Sequence, residues 1–200
     1  MTIDTRRSAV LALHWQVNVI KPEGFFGAML AEPVARSGVI ARATHFHGAA
    51  QAAGLPVLFT RFTVPPGGGQ LVTNTAFMTA VAAAGEAFLP TAPGAQLIAE
   101  MAPQAEPDRV FDNQKLSGLA GSDLPRWLAD HDIDTVLITG VATNLTVEQT
   151  ARHATDLGLT THVISDCVAA ADETTHAASL ANLELATAGC RTADQVLAVG

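Results

Sequence analysis

The sequence predicts an α/β fold, a three-layer α/β/α sandwich with a mostly parallel sheet of roughly six strands. Apolar, β-branched segments alternate along the chain with longer helical segments, and such alternation is typical of right-handed β-α-β units in a parallel sheet. No linker or run of charges divides the 200 residues, and a chain of this length can form one sizeable core. We therefore expect a single domain over residues 1–200.

The predicted strands are short runs of β-branched and apolar residues, which favour an extended backbone. They lie at residues 9–14, 56–62, 109–111, 135–139 and 161–165, with a last short run at residues 195–199. The predicted helices lie between them, at residues 40–53, 123–130, 147–157 and 171–188. Gly54 and Gly189 follow two of these helices as typical C-terminal residues, and Ser122 precedes a third as its predicted N-cap.

Two segments do not follow this alternation. Residues 17–37 contain a Gly-Phe-Phe-Gly run, and residues 63–91 contain a Pro-Pro-Gly-Gly-Gly run. Both segments follow predicted strands, and irregular segments in that position often carry binding residues. We expect them to form the walls or the lid of a pocket.

The composition narrows the classes of partner. The net charge is -8, and Lys21 and Lys115 are the only lysines, which argues against nucleic acid and anionic membranes as partners. The apolar stretches end well short of the ~20 residues that a membrane helix needs, and the N-terminus does not resemble a signal peptide. Cys167 and Cys190 are too few for a disulfide framework. We expect a cytoplasmic protein whose partners are small molecules or proteins.

The most informative stretch is the segment 140–147, Gly-Val-Ala-Thr-Asn-Leu-Thr-Val. It joins the predicted strand 135–139 to the predicted helix 147–157, so it lies at the carboxyl end of a strand. Open α/β sheets bind ligands at that edge, because backbone N–H groups at the start of a helix converge there. We therefore expect the functional site at this turn.

Several segments together resemble the isochorismatase-like hydrolase superfamily, which includes nicotinamidases, N-carbamoyl amidohydrolases and isochorismatase. They are Ala-Val-Leu-Ala-Leu-His-Trp-Gln at 9–16, Ala-Ala-Gly-Leu-Pro-Val-Leu at 52–58, the turn 140–147 with the following residues to 154, and Val-Ile-Ser-Asp-Cys-Val-Ala-Ala at 163–170. An ordered set over five elements is specific for the fold and much less specific for activity.

The resemblance implies three catalytic positions. Cysteine hydrolases of the superfamily use an aspartate as base, a supporting lysine and a cysteine nucleophile. In this chain the aspartate position is His14, the cysteine position is Thr146, and the lysine position is Asn113. Lys115 lies two residues further on, and in an extended segment that shift displaces a side chain by ~7 Å. Since all three residues differ, the resemblance argues against amide hydrolysis by a thiolate.

The resemblance also implies an oxyanion-binding turn at Val141, Ala142 and Thr143. The superfamily carries a non-proline cis peptide there, together with backbone N–H groups that bind a carbonyl or carboxylate oxygen. Members without the cysteine protonate a vinyl ether, and in this chain the proton donor would be His14, whose ordinary pKa is ~6.5. The structural alternative is a strand-end histidine packed beside Trp15. Thr146 is either a nucleophile with His14 as its base, or a residue that caps or lines the helix start.

Other candidates have weaker signals. Trp15 and Arg61 are predicted to contact substrate, although an arginine in that position more often makes a structural salt bridge. Five aromatic residues are candidates for a pocket wall or for the core, namely Trp15, Phe25, Phe26, Phe62 and Phe77. His45 and His47 are interpreted as surface or groove residues, because metal ligands on one helix need a spacing of three or four. Asp166 is interpreted as a helix cap. We expect neither a metal nor a cofactor.

The leading hypothesis is an enzyme that acts on a small, largely apolar carbonyl or enol-ether compound without a cysteine, with His14 as acid or base. A second hypothesis is a catalytically silent protein that binds a small ligand or a protein partner through the same pocket. A third is that Lys115 and an unexpected residue rebuild a hydrolytic site. The resemblance also implies a homo-oligomer, a dimer or tetramer, for which the Ala-rich segments 79–84 and 171–188 offer surfaces.

Overall fold

The computed structural model describes residues 3–198 and has a six-stranded sheet at its centre. The strands are β1 (Ser8–Leu13), β2 (Val57–Phe62), β3 (Val110–Asn113), β4 (Thr135–Val141), β5 (Thr160–Ala169) and β6 (Cys190–Arg191). All strand pairs are parallel, in the order β3-β2-β1-β4-β5-β6. The predicted α/β fold with a parallel sheet is therefore confirmed.

Helices cover both faces of the sheet. They are α1 (Val17–Ile20), α2 (Gly27–Ser37), α3 (Val39–Ala52), α4 (Ala76–Ala83), α5 (Leu124–Asp130), α6 (Glu148–Asp156), α7 (Glu173–Ala186) and α8 (Ala193–Leu197). One buried cluster joins α2, α3 and α8 to one face of the sheet, and a second joins α5, α6 and α7 to the other. Within the described range, no helix has the length and apolar character needed to cross a bilayer.

The chain reverses its direction of strand addition between β1 and β4. From β1 the sheet grows through β2 to β3 on one side and through β4 to β6 on the other. The carboxyl ends of β1 and β4 therefore border the crevice in which open α/β sheets bind ligands. Leu13 at the end of β1 lies opposite Gly140 of β4, and a Cβ atom on Gly140 would lie 2.4 Å from the Leu13 carbonyl oxygen. Glycine is required at position 140 by this close approach.

The last predicted strand is wrong. Residues 193–197 form helix α8, and the sixth strand is Cys190–Arg191; Val199 lies outside the described residues. The reason is a capping box at the start of α8, in which the Thr192 hydroxyl accepts a hydrogen bond from the Gln195 amide and the Gln195 side chain accepts one from the Thr192 amide. Two hydrogen bonds at the helix start override the weak β-propensity of this segment.

The predicted cap at Asp166 is also wrong. Strand β5 continues to Ala169, so Asp166 lies inside the strand, and its carboxylate accepts a hydrogen bond from the amide of Ala193 at 2.9 Å. Helix α7 is instead capped by Asp172, which accepts from the amide of Thr175 at 2.8 Å. The residue at the N-cap of α5 is Asp123, one place after the predicted Ser122.

Candidate active site

His14 follows directly after β1 and is almost completely buried, with 6% of its surface exposed. Its backbone is left-handed, with φ of 53°, and its amide donates to the carbonyl of Thr60 at 3.1 Å. The ring lies edge-on to Phe62 with centroids 6.1 Å apart. His14 thus lines a cavity at the carboxyl ends of the central strands.

Asn113, the last residue of β3, orients the His14 ring. The amide nitrogen of Asn113 donates to the carbonyl oxygens of Lys115 at 3.0 Å and Ser117 at 2.7 Å. Its amide oxygen therefore faces His14, and the Nε2 atom of His14 lies 3.4 Å from that oxygen. Because the oxygen can only accept, Nε2 carries the proton and Nδ1 is left with a free lone pair.

Burial keeps the His14 ring neutral. It lowers the pKa of His14 from 6.5 to about 4, and the hydrogen bond with Asn113 offsets a part of this effect. Removing an imidazolium from water is costly when no carboxylate compensates it. At neutral pH the His14 ring is therefore uncharged, and its Nδ1 atom can accept a hydrogen bond.

The turn after β4 forms another side of the cavity. The Val141–Ala142 peptide bond is cis, as the resemblance implied, and both residues line the cavity. A π-helical turn, Thr143–Val147, follows and leads into α6. The first amides of a helical segment have no intrahelical partner, and those of Ala142 and Thr143 donate no hydrogen bond within the described chain. Of these two residues, Ala142 lines the cavity and Thr143 does not. Thr143 itself is fully buried, and its hydroxyl is bonded to Nδ1 of His176 at 2.8 Å.

Thr146 lines the same cavity but does not cap a helix. Its side chain is 3% exposed, and its hydroxyl has no hydrogen-bond partner among residues 3–198. Neither the π-helical turn nor α6 has a side-chain cap, so the capping interpretation is wrong. A nucleophilic hydroxyl would need a base within hydrogen-bonding distance, and Thr146 has none in this arrangement.

The cavity is apolar and carries no charged side chain. Twelve of its fourteen lining residues are apolar, and the other two are His14 and Thr146. The apolar lining consists of Val19, Phe26, Met29, Leu30, Phe62, Phe77, Val81, Phe88, Leu116, Val141, Ala142 and Leu145. The segments 17–37 and 63–91, which contain α1, α2 and α4, both contribute to it, as expected for pocket walls. Phe88 was not among the predicted pocket residues, although an aromatic residue in the segment 63–91 was a usable signal.

Five predicted pocket residues lie outside this cavity, and the buried Thr143 is one of them. Trp15 is fully buried in the core, with its indole N–H 3.4 Å from the Thr139 hydroxyl. Phe25 is 42% exposed. Lys115 donates to the carbonyl of Gln70. Arg61 makes two hydrogen bonds to Asp112, at 2.8 and 2.9 Å, which is the structural salt bridge given as the alternative in the sequence analysis.

We expect Arg61→Gln to weaken the fold without changing substrate affinity. The pair with Asp112 is bidentate and only partly exposed, with 18% and 33% of the two side chains accessible. Its loss should therefore lower the free energy of unfolding by about 2 kcal/mol, between the values for exposed and buried pairs. Urea denaturation measures this change. A large rise in KM for an uncharged substrate, with unchanged stability, would instead show that Arg61 contributes to substrate binding.

Neither cysteine has the properties of a catalytic nucleophile. Cys167 is fully buried in the core and does not line the cavity. Burial, with a further contribution from Asp166, raises the pKa of the Cys167 thiol to about 12. Burial raises that of Cys190 to about 11. A reactive cysteine needs an accessible thiolate, and both thiols are protonated at neutral pH.

The two histidines of α3 differ in exposure. His45 is exposed, but His47 is fully buried, so the interpretation of His47 as a surface or groove residue is wrong. Its Nε2 atom is bonded to the Thr139 hydroxyl at 2.8 Å, and burial lowers the pKa of His47 to about 3. The described part of the chain contains no group of three or more His, Cys, Asp or Glu residues that could hold a metal ion.

Comparison with known sequences shows an extended match. The chain matches the Isochorismatase domain over residues 8–195. A segment of 77 residues, 38% of the chain, is 34% identical to the uncharacterized isochorismatase family protein YecD of Escherichia coli O157:H7 and covers 41% of that protein. A segment of 73 residues is 34% identical to the uncharacterized isochorismatase family protein YwoC of Bacillus subtilis and covers 39% of it. The chain therefore matches about two fifths of the length of these relatives.

Solved structures share the whole fold. A cysteine hydrolase from Pseudomonas syringae pv. phaseolicola is similar with a TM-score of 0.84 and 21% identity, over 100% of this chain and 94% of that chain. The pyrazinamidase/nicotinamidase from Streptococcus mutans is similar with a TM-score of 0.74 and 20% identity, over 92% of this chain and 99% of that chain. At these identities the likeness concerns the fold alone.

Proposed function

The chain belongs to the isochorismatase family, and on that premise we propose that it hydrolyses a small, uncharged carbonyl compound without a cysteine, using His14 as the base. One observation carries this proposal. A neutral, buried histidine with a free Nδ1 atom lines an apolar cavity, next to a turn whose first amides are unpartnered. A base and an oxyanion-binding turn are the two parts that hydrolysis of a carbonyl group requires.

We further propose that His14, Asn113 and Thr146 stand in place of the aspartate, lysine and cysteine of the family's cysteine hydrolases. The contact between His14 and Asn113 supports this assignment, because it joins the carboxyl ends of β1 and β3. Thr146 lines the same cavity as His14. The high pKa values of the Cys167 and Cys190 thiols leave no thiolate at neutral pH to take the nucleophile's part.

In the proposed reaction, Nδ1 of His14 takes a proton from a water molecule as the water oxygen attacks the carbonyl carbon. The carbonyl oxygen becomes an oxyanion and accepts hydrogen bonds from the amides of Ala142 and Thr143. The tetrahedral intermediate then collapses, the bond to the leaving group breaks, and the protonated His14 returns its proton to that group. Asn113 holds the other ring nitrogen as the donor throughout.

The lining favours an uncharged substrate. Moving a carboxylate from water into an apolar cavity is costly unless a cation pairs with it. Arg61 is paired with Asp112, Lys115 donates to Gln70, and neither lines the cavity. An enol ether is the weaker candidate, because its cleavage needs an acidic proton donor and His14 is an uncharged imidazole at neutral pH.

The second candidate function is a catalytically silent protein that binds a small apolar ligand in the same cavity. The unpartnered hydroxyl of Thr146 favours it, because that hydroxyl is not arranged as a nucleophile. Under either function we propose a cytoplasmic protein that forms a homodimer or homotetramer. Leu185 of α7, which is 89% exposed, supports contact with a second copy, because large apolar side chains at the surface often mark an interface.

The test is hydrolysis of matched pairs of esters, amides, lactones and enol ethers, each pair with and without a carboxylate group. We expect turnover of the uncharged carbonyl member of a pair and at least tenfold lower kcat/KM for its charged partner. The variant Thr146→Val keeps the shape and removes the hydroxyl, and we expect it to retain activity within about threefold, because the nucleophile is water. Loss of all activity in Thr146→Val would assign the nucleophile to its hydroxyl. Binding of the uncharged compounds without turnover would favour the silent protein.

A further inference from the structure

Arg42 is an arginine without a carboxylate partner in a strongly acidic chain. The sequence contains 19 acidic and 11 basic residues. Within the described residues, seven arginines pair with an aspartate or glutamate, and Arg42 and Arg191 do not. An acidic protein offers many carboxylates, so an arginine that pairs with none is available to an external anion.

Arg42 lines a second cavity, at the carboxyl end of β5. The walls come from α2, α3, β5 and the start of α7 and are mostly polar or small. The lining residues are Pro33, Arg36, Ser37, Arg42, Ser165, Val168, Ala169, Ala170, Ala171, Glu173 and His176. None of them lines the apolar cavity of His14. The polar cavity is therefore a separate site.

Arg42 is exposed, and one hydrogen bond orients its guanidinium. Its Nε atom donates to the carbonyl oxygen of Asp166 at 2.7 Å. The Nη1 atom lies beside Gly38, where a Cβ atom would approach it to 3.3 Å, and Gly38 has a left-handed backbone with φ of 68°. Among residues 3–198 the two terminal nitrogens have no hydrogen-bond partner, and together they form a pair of donors that matches an oxyanion.

The charged and titratable groups near Arg42 are Arg36, Glu173, Asp166 and His176. Arg36 is a second cation of the lining, and one of its terminal nitrogens pairs with Glu32 at 2.9 Å. Glu173 is the carboxylate of the lining and pairs with neither arginine. The carboxylate of Asp166 is bonded to the amide of Ala193, and Nδ1 of His176 is bonded to Thr143.

We propose that this polar cavity binds the oxyanion group of a small molecule, a carboxylate or a phosphate, with Arg42 as the principal partner and Arg36 as the second. The proposal is independent of hydrolysis in the apolar cavity. The two sites are connected through the hydrogen bond between His176, which lines the polar cavity, and Thr143, in the turn beside His14. A bound anion would therefore lie one hydrogen bond away from the proposed oxyanion-binding turn.

The experiment is thermal unfolding in acetate and in inorganic phosphate, compared with chloride at the same ionic strength. When the anion is in roughly tenfold excess over its dissociation constant, the melting temperature should rise by about 3–5 °C. We expect this rise in the wild type and no rise in Arg42→Gln. The matched control is Arg191→Gln, which removes the other unpaired arginine outside the cavity and should keep the full rise. Glu173→Gln should increase it, because a like charge leaves the site.

Two results would overturn the proposal. An equal rise in the wild type and in Arg42→Gln would mean that the salts act on the whole protein surface. If the rise in melting temperature were lost equally in Arg42→Gln and Arg191→Gln, the stabilisation by anions would depend on the overall charge of the protein and not on this cavity. If Arg42→Gln fails to fold, amide shifts of Gly38 and Ala170 in an NMR titration of the wild type provide the second measurement, and unchanged shifts would also overturn the proposal. None of these results depends on turnover.

Discussion

Replacing His14 with glutamine is expected to lower kcat/KM for an uncharged carbonyl substrate by roughly 10²- to 10⁴-fold, the usual contribution of a general base. Glutamine keeps a polar side chain of similar length that can still meet Asn113, but it cannot take a proton. The loss should appear mainly in kcat, because the apolar residues that surround the substrate are unchanged. Steady-state kinetics on the uncharged members of the substrate panel measure the change.

The pH dependence separates a base from a structural histidine. Since the pKa of His14 is lowered to about 4, the wild-type activity should be constant from about pH 5 to neutrality and should fall as the pH drops through 4. Asn113→Asp places a carboxylate 3.4 Å or so from Nε2, and this favours the imidazolium. We expect the acidic limb to move to higher pH in that variant. A limb that stays in place would contradict the role of His14.

Cys167→Ala is the matched control for the cysteine mechanism. Cys167 is buried in the core and outside the cavity, so this variant should keep the wild-type kcat/KM after correction for any change in stability. The same holds for treatment with a thiol-alkylating reagent, because both thiols have raised pKa values and thiols react as thiolates. Loss of activity in Cys167→Ala, at unchanged stability, would support a cysteine mechanism instead.

Acid should destabilise the fold well above the pH at which most carboxylates titrate. Burial lowers the pKa of His14 from 6.5 to about 4 and that of His47 from 6.5 to about 3. Each histidine then contributes a slope of ~1.4 kcal/mol per pH unit below its unfolded pKa. Between pH 7.5 and 4.5 the two together should lower the free energy of unfolding by about 5 kcal/mol, a large share of the ~5–15 kcal/mol of a typical domain.

Acid lowers the free energy of unfolding because the unfolded chain binds protons at a higher pH than the folded chain does. The unfolded chain protonates these histidines near pH 6.5, whereas the folded chain keeps them neutral until the pH falls to about 4 and about 3. Their contribution to stability is therefore complete above pH 6.5 and is lost as the pH falls towards the folded pKa values. Below those values no further loss comes from these two groups.

The measurement is urea denaturation at a series of pH values. His47→Gln should roughly halve the slope between pH 6.5 and 4.5, because His14 remains. His45→Gln is the control on the same helix, since His45 is exposed, and its slope should equal that of the wild type. Equal slopes in all three proteins would mean that His47 does not stay neutral in the folded state.

The fold was largely predictable because it depends on patterns that are local in sequence. The apolar run 135–139 and its neighbours predict strands from β-propensity alone, and the alternation with helices predicts their parallel order. The wrong prediction of a strand at residues 195–199 also has a local cause. Thr192 and Gln195 form a capping box, and their Thr-x-x-Gln spacing in the sequence is typical of a helix start. Short segments at the edge of a sheet carry the weakest patterns, and β6 has two residues.

The candidate site was predictable in position and much less in chemistry. The turn 140–147 could be assigned to the carboxyl edge of the sheet, and His14, Val141, Ala142 and Thr146 do line the cavity found there. Trp15 and Arg61 were misassigned, because sequence adjacency does not determine where a side chain points after a strand ends. The left-handed backbone at His14 places the His14 ring in the cavity and the Trp15 ring in the core.

The sequence by itself determined the α/β fold class, the family and the edge of the sheet at which the candidate site lies, because these depend on residue patterns that are local in the chain. Only the tertiary structure decided that the His14 ring is buried and uncharged, that Arg61 is paired with Asp112 and that Arg42 lies beside a cavity without a carboxylate partner among the described residues. The physical reason is that burial and pairing arise from residues distant in sequence. His14 meets Asn113 across 99 positions and Arg61 meets Asp112 across 51, and such contacts set the charge of a group only once the chain is folded.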